Sequence, residues 1–188
     1  MFTILLIFGC MKKPANTDTD AAETEEVETR PPYLSIQNLD EQQILEQVDM
    51  ELDNVVDIWN YKHKREGQDD LIYEKHIDIN RDGIADSKTY FDSEGKISRE
   101  EIDSNFDEKT DIINYYQSEQ RVSSQLDTNF DGNFDIYRYY ENEVLRRREQ
   151  DTDYNGKVDL WQYIDEYGQV KKWGRDIDGD GIMDTREE

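Results

Sequence analysis

Between residues 87 and 175 the chain alternates short runs of aromatic and β-branched residues with polar ones, at the period of two that belongs to a pleated strand. SKTYF (87–91), IINYY (112–116), IYRYY (136–140) and LWQYI (160–164) are the clearest runs. In them Tyr137 and Tyr139, Trp161 and Tyr163, and Ile113 and Tyr115 fall on one face of their strands. Each run is followed by a turn cluster (DSEGK, QSEQR, ENE, DEYGQ) and then by a second strand beginning near Ile97, Val122, Leu145 and Val170. The pattern predicts a series of β-hairpins.

Each second strand leads into a carboxylate-rich stretch, D-x-[DN]-x-[DN]-x-x-x-D, and these stretches carry the candidate chemistry. They begin at Asp78, Asp103, Asp127, Asp151 and Asp176, in steps of 25, 24, 24 and 25 residues. Positions 1, 3, 5 and 9 hold Asp78, Asn80, Asp82 and Asp86; Asp103, Asn105, Asp107 and Asp111; Asp127, Asn129, Asp131 and Asp135; Asp151, Asp153, Asn155 and Asp159; and Asp176, Asp178, Asp180 and Asp184. Sixteen of these twenty side chains are Asp and four are Asn. Asp, Asn and Gly are ordinary turn residues, but a turn needs no oxygen ligand at every odd position. Ca2+ takes about six to eight oxygen ligands at roughly 2.3–2.6 Å, so a short loop must turn alternate side chains inward. Position 6 is Gly83, Gly132, Gly156 and Gly181 in four copies, where the absence of a Cβ makes a sharp reversal cheap. Glu108 stands there in the second copy, and that loop is expected to bind less tightly.

These nonapeptides resemble the calcium loops of EF-hands, dockerins, thrombospondin type 3 repeats and the FG-GAP blades of integrin-like propellers. The resemblance covers about nine residues per repeat and implies Ca2+ as the ligand. An EF-hand also needs a bidentate Glu at position 12 and helices on both sides. Position 12 here is Thr89, Asn114, Arg138 and Gln162, with Glu187 only in the last copy.

An older copy lies upstream. ILEQVD, which ends at Asp49, parallels VSSQLD, and DIWNY parallels DLWQY, with Asp49, Glu51, Asp53 and Asp57 at ligand spacing and Asn54 in the glycine place. A helix over 39–56 through Ile44, Val48 and Leu52 is the rival reading; the shared pattern of two segments favours the repeat.

Units of this length bury their apolar faces only against neighbours. The expected fold is therefore mainly β: tandem β-hairpin repeats of about 24–25 residues joined by calcium loops, as an antiparallel meander or a β-solenoid. Only 35% of residues are hydrophobic and 36% are charged, so the core should be thin and aromatic. The net charge of −24 rules out attraction to nucleic acid or anionic lipid. Five Ca2+ would bring +10 and leave −14.

The apolar run FTILLIFGC ends at Cys10, the only cysteine. Ile7-Phe8-Gly9-Cys10 resembles the lipobox of bacterial lipoproteins, which implies lipidation of Cys10 and a place in the bacterial cell envelope. Met11 rather than Asp after the cysteine resembles the outer-membrane default. The run is far short of the roughly 20 apolar residues of a membrane span. The domain reading is a signal peptide over 1–9, a disordered acidic tether over 10–32, and the repeat domain over 33–188. The tether carries almost no large apolar group, so it cannot repay its ordering entropy.

No nucleophile or phosphate loop is visible, and His63 and His76 have no cysteine or serine partner arrangement around them. His63 and His76 read as a solvated loop and a strand surface, and no enzyme is expected. The expected function is that of a calcium-binding, lipid-anchored envelope protein with a structural, adhesive or binding role. An envelope protein or glycan is the expected partner. The alternatives are a carbohydrate-binding module using its Tyr and Trp, or an EF-hand-type protein with helical flanks.

Overall fold

The computed structural model describes residues 33–187; the expected signal peptide, Cys10 and the tether lie outside them. Among the described residues thirteen strands form one antiparallel sheet in strict chain order, a meander rather than a solenoid. They are β1 (Tyr33–Asn38), β2 (Gln43–Asp49), β3 (Ile58–His63), β4 (Leu71–Ile77), β5 (Ser87–Phe91), β6 (Ile97–Ile102), β7 (Ile112–Gln117), β8 (Gln120–Leu126), β9 (Ile136–Glu141), β10 (Val144–Gln150), β11 (Leu160–Ile164), β12 (Val170–Arg175) and β13 (Thr185–Glu187).

No helix forms among the described residues, so none there is long enough to cross a membrane. Two alternative readings are excluded by this. The helical stripe of Ile44, Val48 and Leu52 is split between β2 and the following loop, where Leu52 takes φ 63°. The Asp49 carboxylate accepts the N–H groups of Leu52 and Asn54 and so competes with any helical ladder. The carboxylate loops are flanked by strands throughout, which excludes helical EF-hand flanks over the described residues.

The strand positions follow from the alternation. Register aligns Ile113, Gln125, Tyr137, Glu149 and Trp161 in one row across the sheet, and Tyr115, Ser123, Tyr139, Arg147 and Tyr163 in the next row of the same face. Arginines between the tyrosines lie over their rings: Arg147 stands 4.0 Å from the Tyr139 centroid and Arg99 5.1 Å from that of Tyr90. Each such pair contributes about 0.5–1 kcal/mol. The opposite face carries an aliphatic row through Val48, Ile58, Ile77, Ile102, Ile112, Leu126, Ile136 and Leu160, broken by Ser87 and Gln150.

Connections alternate between the two long edges of the sheet. One edge carries the hairpin turns. Ser118-Glu119 and Asn142-Glu143 are two-residue turns with positive φ at both positions, the primed geometry that suits the strand twist. Asp92 and Asp165 close the longer turns by accepting two backbone N–H groups each. Every hairpin from β3–β4 onward shifts register once, by a bulge at Tyr73, Ser98, Val122, Arg146 and Lys171 in turn; β1–β2 has none. His63 is the last residue of β3, stacked on Tyr73 at 4.4 Å, and not a loop residue as the sequence suggested.

Among the described residues only Ile44, Leu45 and Ile113 are buried apolar side chains. The most buried side chains are aspartates. Asp111 and Asp135 are each 1% exposed, and Asp49, Asp78, Asp86, Asp103, Asp127 and Asp151 are buried beside them.

Candidate metal centre

All six carboxylate loops lie along the edge opposite the turns, joining β2–β3, β4–β5, β6–β7, β8–β9, β10–β11 and β12–β13. Neighbouring loops are two strands apart, roughly 10 Å at the usual strand spacing. The backbone ladder runs through them. Asp127 N–H donates to Asp111 O (2.7 Å), Asp151 N–H to Asp135 O (2.8 Å) and Asp176 N–H to Asp159 O (3.0 Å), so each loop starts on the end of its predecessor.

The loop over 127–135 shows the local logic. Asp127 accepts the N–H of Phe130 on Oδ1 and that of Gly132 on Oδ2, both at 2.7 Å. Asn129 and Asp131 accept the N–H groups of Asp131 and Asn133. Asp135 Oδ2 accepts the N–H and hydroxyl of Thr128 at 2.7 Å, and its own N–H donates to Leu126 O (2.8 Å). Only a short side chain reaches its own neighbouring amides in this way, which is why Asp and Asn and not Glu fill positions 1, 5 and 9 of every loop. Ser104 and Thr152 repeat the hydroxyl contact to Asp111 and Asp159. Positions 1 and 9 are thus mostly inside, as backbone caps, while positions 3 and 5 are mostly exposed.

Two left-handed residues shape each loop, where the sequence pointed to one. Besides position 6, position 4 has positive φ in every copy: Leu52 (63°), Arg81 (69°), Phe106 (65°), Phe130 (62°), Tyr154 (61°) and Gly179 (78°). The single glycine at that place, Gly179, was the only signal for it.

In the second copy Glu108 keeps the loop geometry that glycine gives the others. Glu108 adopts φ 69° and donates its N–H to Asp103 Oδ2 (2.7 Å), as glycine does in the other loops. A left-handed Glu costs about 1–2 kcal/mol, and a glycine's extra chain entropy recovers roughly half of that. Glu108→Gly is therefore expected to stabilise the protein by about 0.5–1 kcal/mol in urea unfolding. A loss of stability would mean that the Glu108 side chain makes a compensating interaction.

Carboxylates converge in three loops. Ligand oxygens of Asp103, Asp107 and Asp111, of Asp151, Asp153 and Asp159, and of Asp176, Asp178 and Asp184 lie within 4.8 Å of one another in each group. In the loops at Asp78 and Asp127 the amides of Asn80 and Asn129 donate to Asp82 and Asp131 (2.9 Å each), and the described carboxylates there form no such group. In the upstream copy Glu51 pairs with Arg81 of the next loop (2.5 Å), which diverts a ligand position into an ion pair.

Hydrogen bonds from the loop lower two of the loop carboxyls. The Asn129 amide, foremost, and the Asn133 N–H hold the Asp131 carboxyl below its ordinary range. At Asp176 burial pushes upward, but the N–H groups of Gly181, Gly179, Asp180 and Asp178 together bring it below its usual value. Asp111 Oδ1 is buried without a hydrogen-bond partner, while Oδ2 takes Ser104 and Asn105. An unpaired buried carboxylate oxygen beside two further carboxylates is costly unless a cation meets it. A carboxylate offers roughly four lone-pair sites, so the backbone caps leave room for a metal. The all-oxygen donor set fits a hard cation.

No protein-family model matches the chain, and no curated protein matches it. Among solved structures ten chains match. One, described as "Crystal Structure of TarM", is 10% identical over 69% of this chain and 19% of that one, with a TM-score of 0.21. This chain thus spans about a fifth of that protein's length, and a likeness at that score carries no argument about function.

Proposed function

We propose that this protein is a calcium-stabilised β-repeat protein of the bacterial envelope, lipid-anchored through Cys10, with a structural, adhesive or binding role and no catalytic one. The observation that carries the metal reading is the group at Asp103, Asp107 and Asp111, with its buried, unpartnered Asp111 Oδ1. The same arrangement of donors supports the loops at Asp151 and Asp176 as further sites. Bound there, Ca2+ would neutralise carboxylates that otherwise repel and would tie the two ends of each loop together. Anchor and compartment rest on the resemblance of residues 7–10 to a lipobox.

Calorimetric titration of the chain with CaCl2 is expected to show uptake, of which Asp111→Asn removes one site's share, while labelled palmitate is expected on the wild type and not on Cys10→Ser. No calcium uptake overturns the metal reading, and label on both proteins overturns the anchor.

A second reading, glycan binding, is supported by the rows of Tyr115, Tyr139 and Tyr163 and of Tyr137 and Trp161 on one face of the sheet. Aromatic faces in line along a sheet can stack on successive sugar rings. A glycan array with Trp161→Ala beside the wild type separates this reading from that of a spacer.

A further inference from the structure

The two outer strands of the sheet are built differently. Of the three described residues of β13, Thr-Arg-Glu, two are charged. Charged strands are how open sheets blunt an edge against pairing with other chains. β1 has the opposite character. Its six residues, YLSIQN, include no charged side chain in a chain of which 36% is charged. Its hairpin with β2 runs in unbroken register from Tyr33↔Asp49 to Asn38↔Ile44, whereas the hairpins from β3–β4 onward all carry a bulge. Leu34 and Ile36, on one face of the strand, are 50% and 59% exposed. Leu34 stands in line with Val48, Ile58 and Ile77, at the end of the aliphatic row. β1 is therefore regular, uncharged and apolar at the one place where a sheet protein ordinarily carries charge or a bulge.

From this we infer that the outer edge of β1 is a dimerisation edge, and that its occupant is β1 of a second copy of the chain. Strand direction decides between the possible pairings. Because neighbours alternate along thirteen strands, β1 and β13 run the same way. Adding a second copy in line, its β1 against β13, would pair parallel strands, or would turn the second sheet over and set its aliphatic row on the wrong face. A two-fold axis perpendicular to the sheet at Ser35 does neither. It runs β1 antiparallel to β1, keeps both faces in line, and places Leu34 of one copy opposite Ile36 of the other. The contact is isologous and closes at two copies, so it makes a dimer and not a fibre. One strand pair buries less than about 1,200 Å2 in total, which belongs to the weak, reversible class of interface. The net charge of −24 on each copy opposes it. Screening shortens from about 10 Å at 0.1 M salt to about 3 Å at 1 M, so association should tighten several-fold over that range.

Sedimentation velocity of the full-length chain, at loading concentrations from micromolar to hundreds of micromolar, is expected to show a monomer–dimer equilibrium that salt favours. The double variant Leu34→Lys/Ile36→Lys, at two exposed positions, is expected to stay monomeric with an unchanged melt. In a Cys10→Ser background, Ser35→Cys is expected to give a covalent dimer under mild oxidation, and Arg186→Cys on the other edge is expected to give none. This second arm keeps its meaning if the lysine variant folds poorly. A chain that is monomeric at every concentration overturns the inference. So does a dimer that persists in the lysine variant and is not captured by Ser35→Cys, since it would be held elsewhere.

Discussion

In the presence of a chelator, Asp135→Ala is expected to destabilise the protein by about 2–4 kcal/mol, more than the same change at any exposed loop position. The estimate follows from its partners. Asp135 is 1% exposed, and its Oδ2 satisfies the Thr128 N–H and hydroxyl at 2.7 Å and the Asn129 N–H at 3.3 Å. Each donor left unsatisfied costs about 1–3 kcal/mol. The Thr128 hydroxyl can turn to water because its residue is exposed, but the amides are fixed by the loop. Against a total stability of about 5–15 kcal/mol this loss is large.

Two companions separate capping from the mere loss of a loop carboxylate. Asp135→Asn keeps an acceptor oxygen in place, so with chelator it should cost about 1 kcal/mol. Asp131→Ala removes an exposed position-5 carboxylate and should sit within about 0.5 kcal/mol of wild type with chelator, the usual range of surface changes. Urea midpoints read all three. If Asp135→Ala unfolded at the wild-type midpoint with chelator, the buried aspartates would not be the caps that their hydrogen bonds describe.

That aspartates form the interior is what the sequence concealed. The hairpins were legible because SKTYF and LWQYI alternate cleanly, and they coincide with β5 and β11 residue for residue. The loops were legible because five copies share one spacing, and the upstream copy at Asp49 folds as a sixth, with Asn54 at φ 70°. Burial was not legible, because Asp ordinarily lies outside unless paired. Here the loop backbone supplies the partners, and no composition scale registers that. Position 4 was missed for a related reason: Phe106, Phe130 and Tyr154 are side chains that no propensity assigns to left-handed φ, and the capture of the Phe106 and Phe130 N–H groups by Asp103 and Asp127 sets the conformation only once the loop has closed. β1 and β13 were not anticipated as strands, since neither contains an aromatic alternation; register with β2 and β12 places them.

Calcium is expected to raise the melting temperature by about 15–30 °C over the chelated protein if the three convergent groups are occupied. A ligand at a hundredfold excess over its Kd stabilises a folded site by about 2.7 kcal/mol, so three sites contribute roughly 8 kcal/mol. A domain of this size gains about 2–4 °C per kcal/mol. The effect should also have a place in the sheet. Each strand touches only its chain neighbours, so stability is a sum of local terms, and unfolding can begin at one end. In the last loop Asp178 and Asp184 are exposed, whereas Asp103 and Asp111 are buried in the middle of the sheet. Hydrogen exchange in chelator should therefore show β12 and β13 opening first and the strands beside Asp111 opening last, and titrated calcium should restore protection at the centre before the end. A melt that calcium leaves unchanged would sink the metal reading. The loops would then be polar turns closed by their own aspartates, and the convergence at Asp111 would be a cost met by the backbone alone.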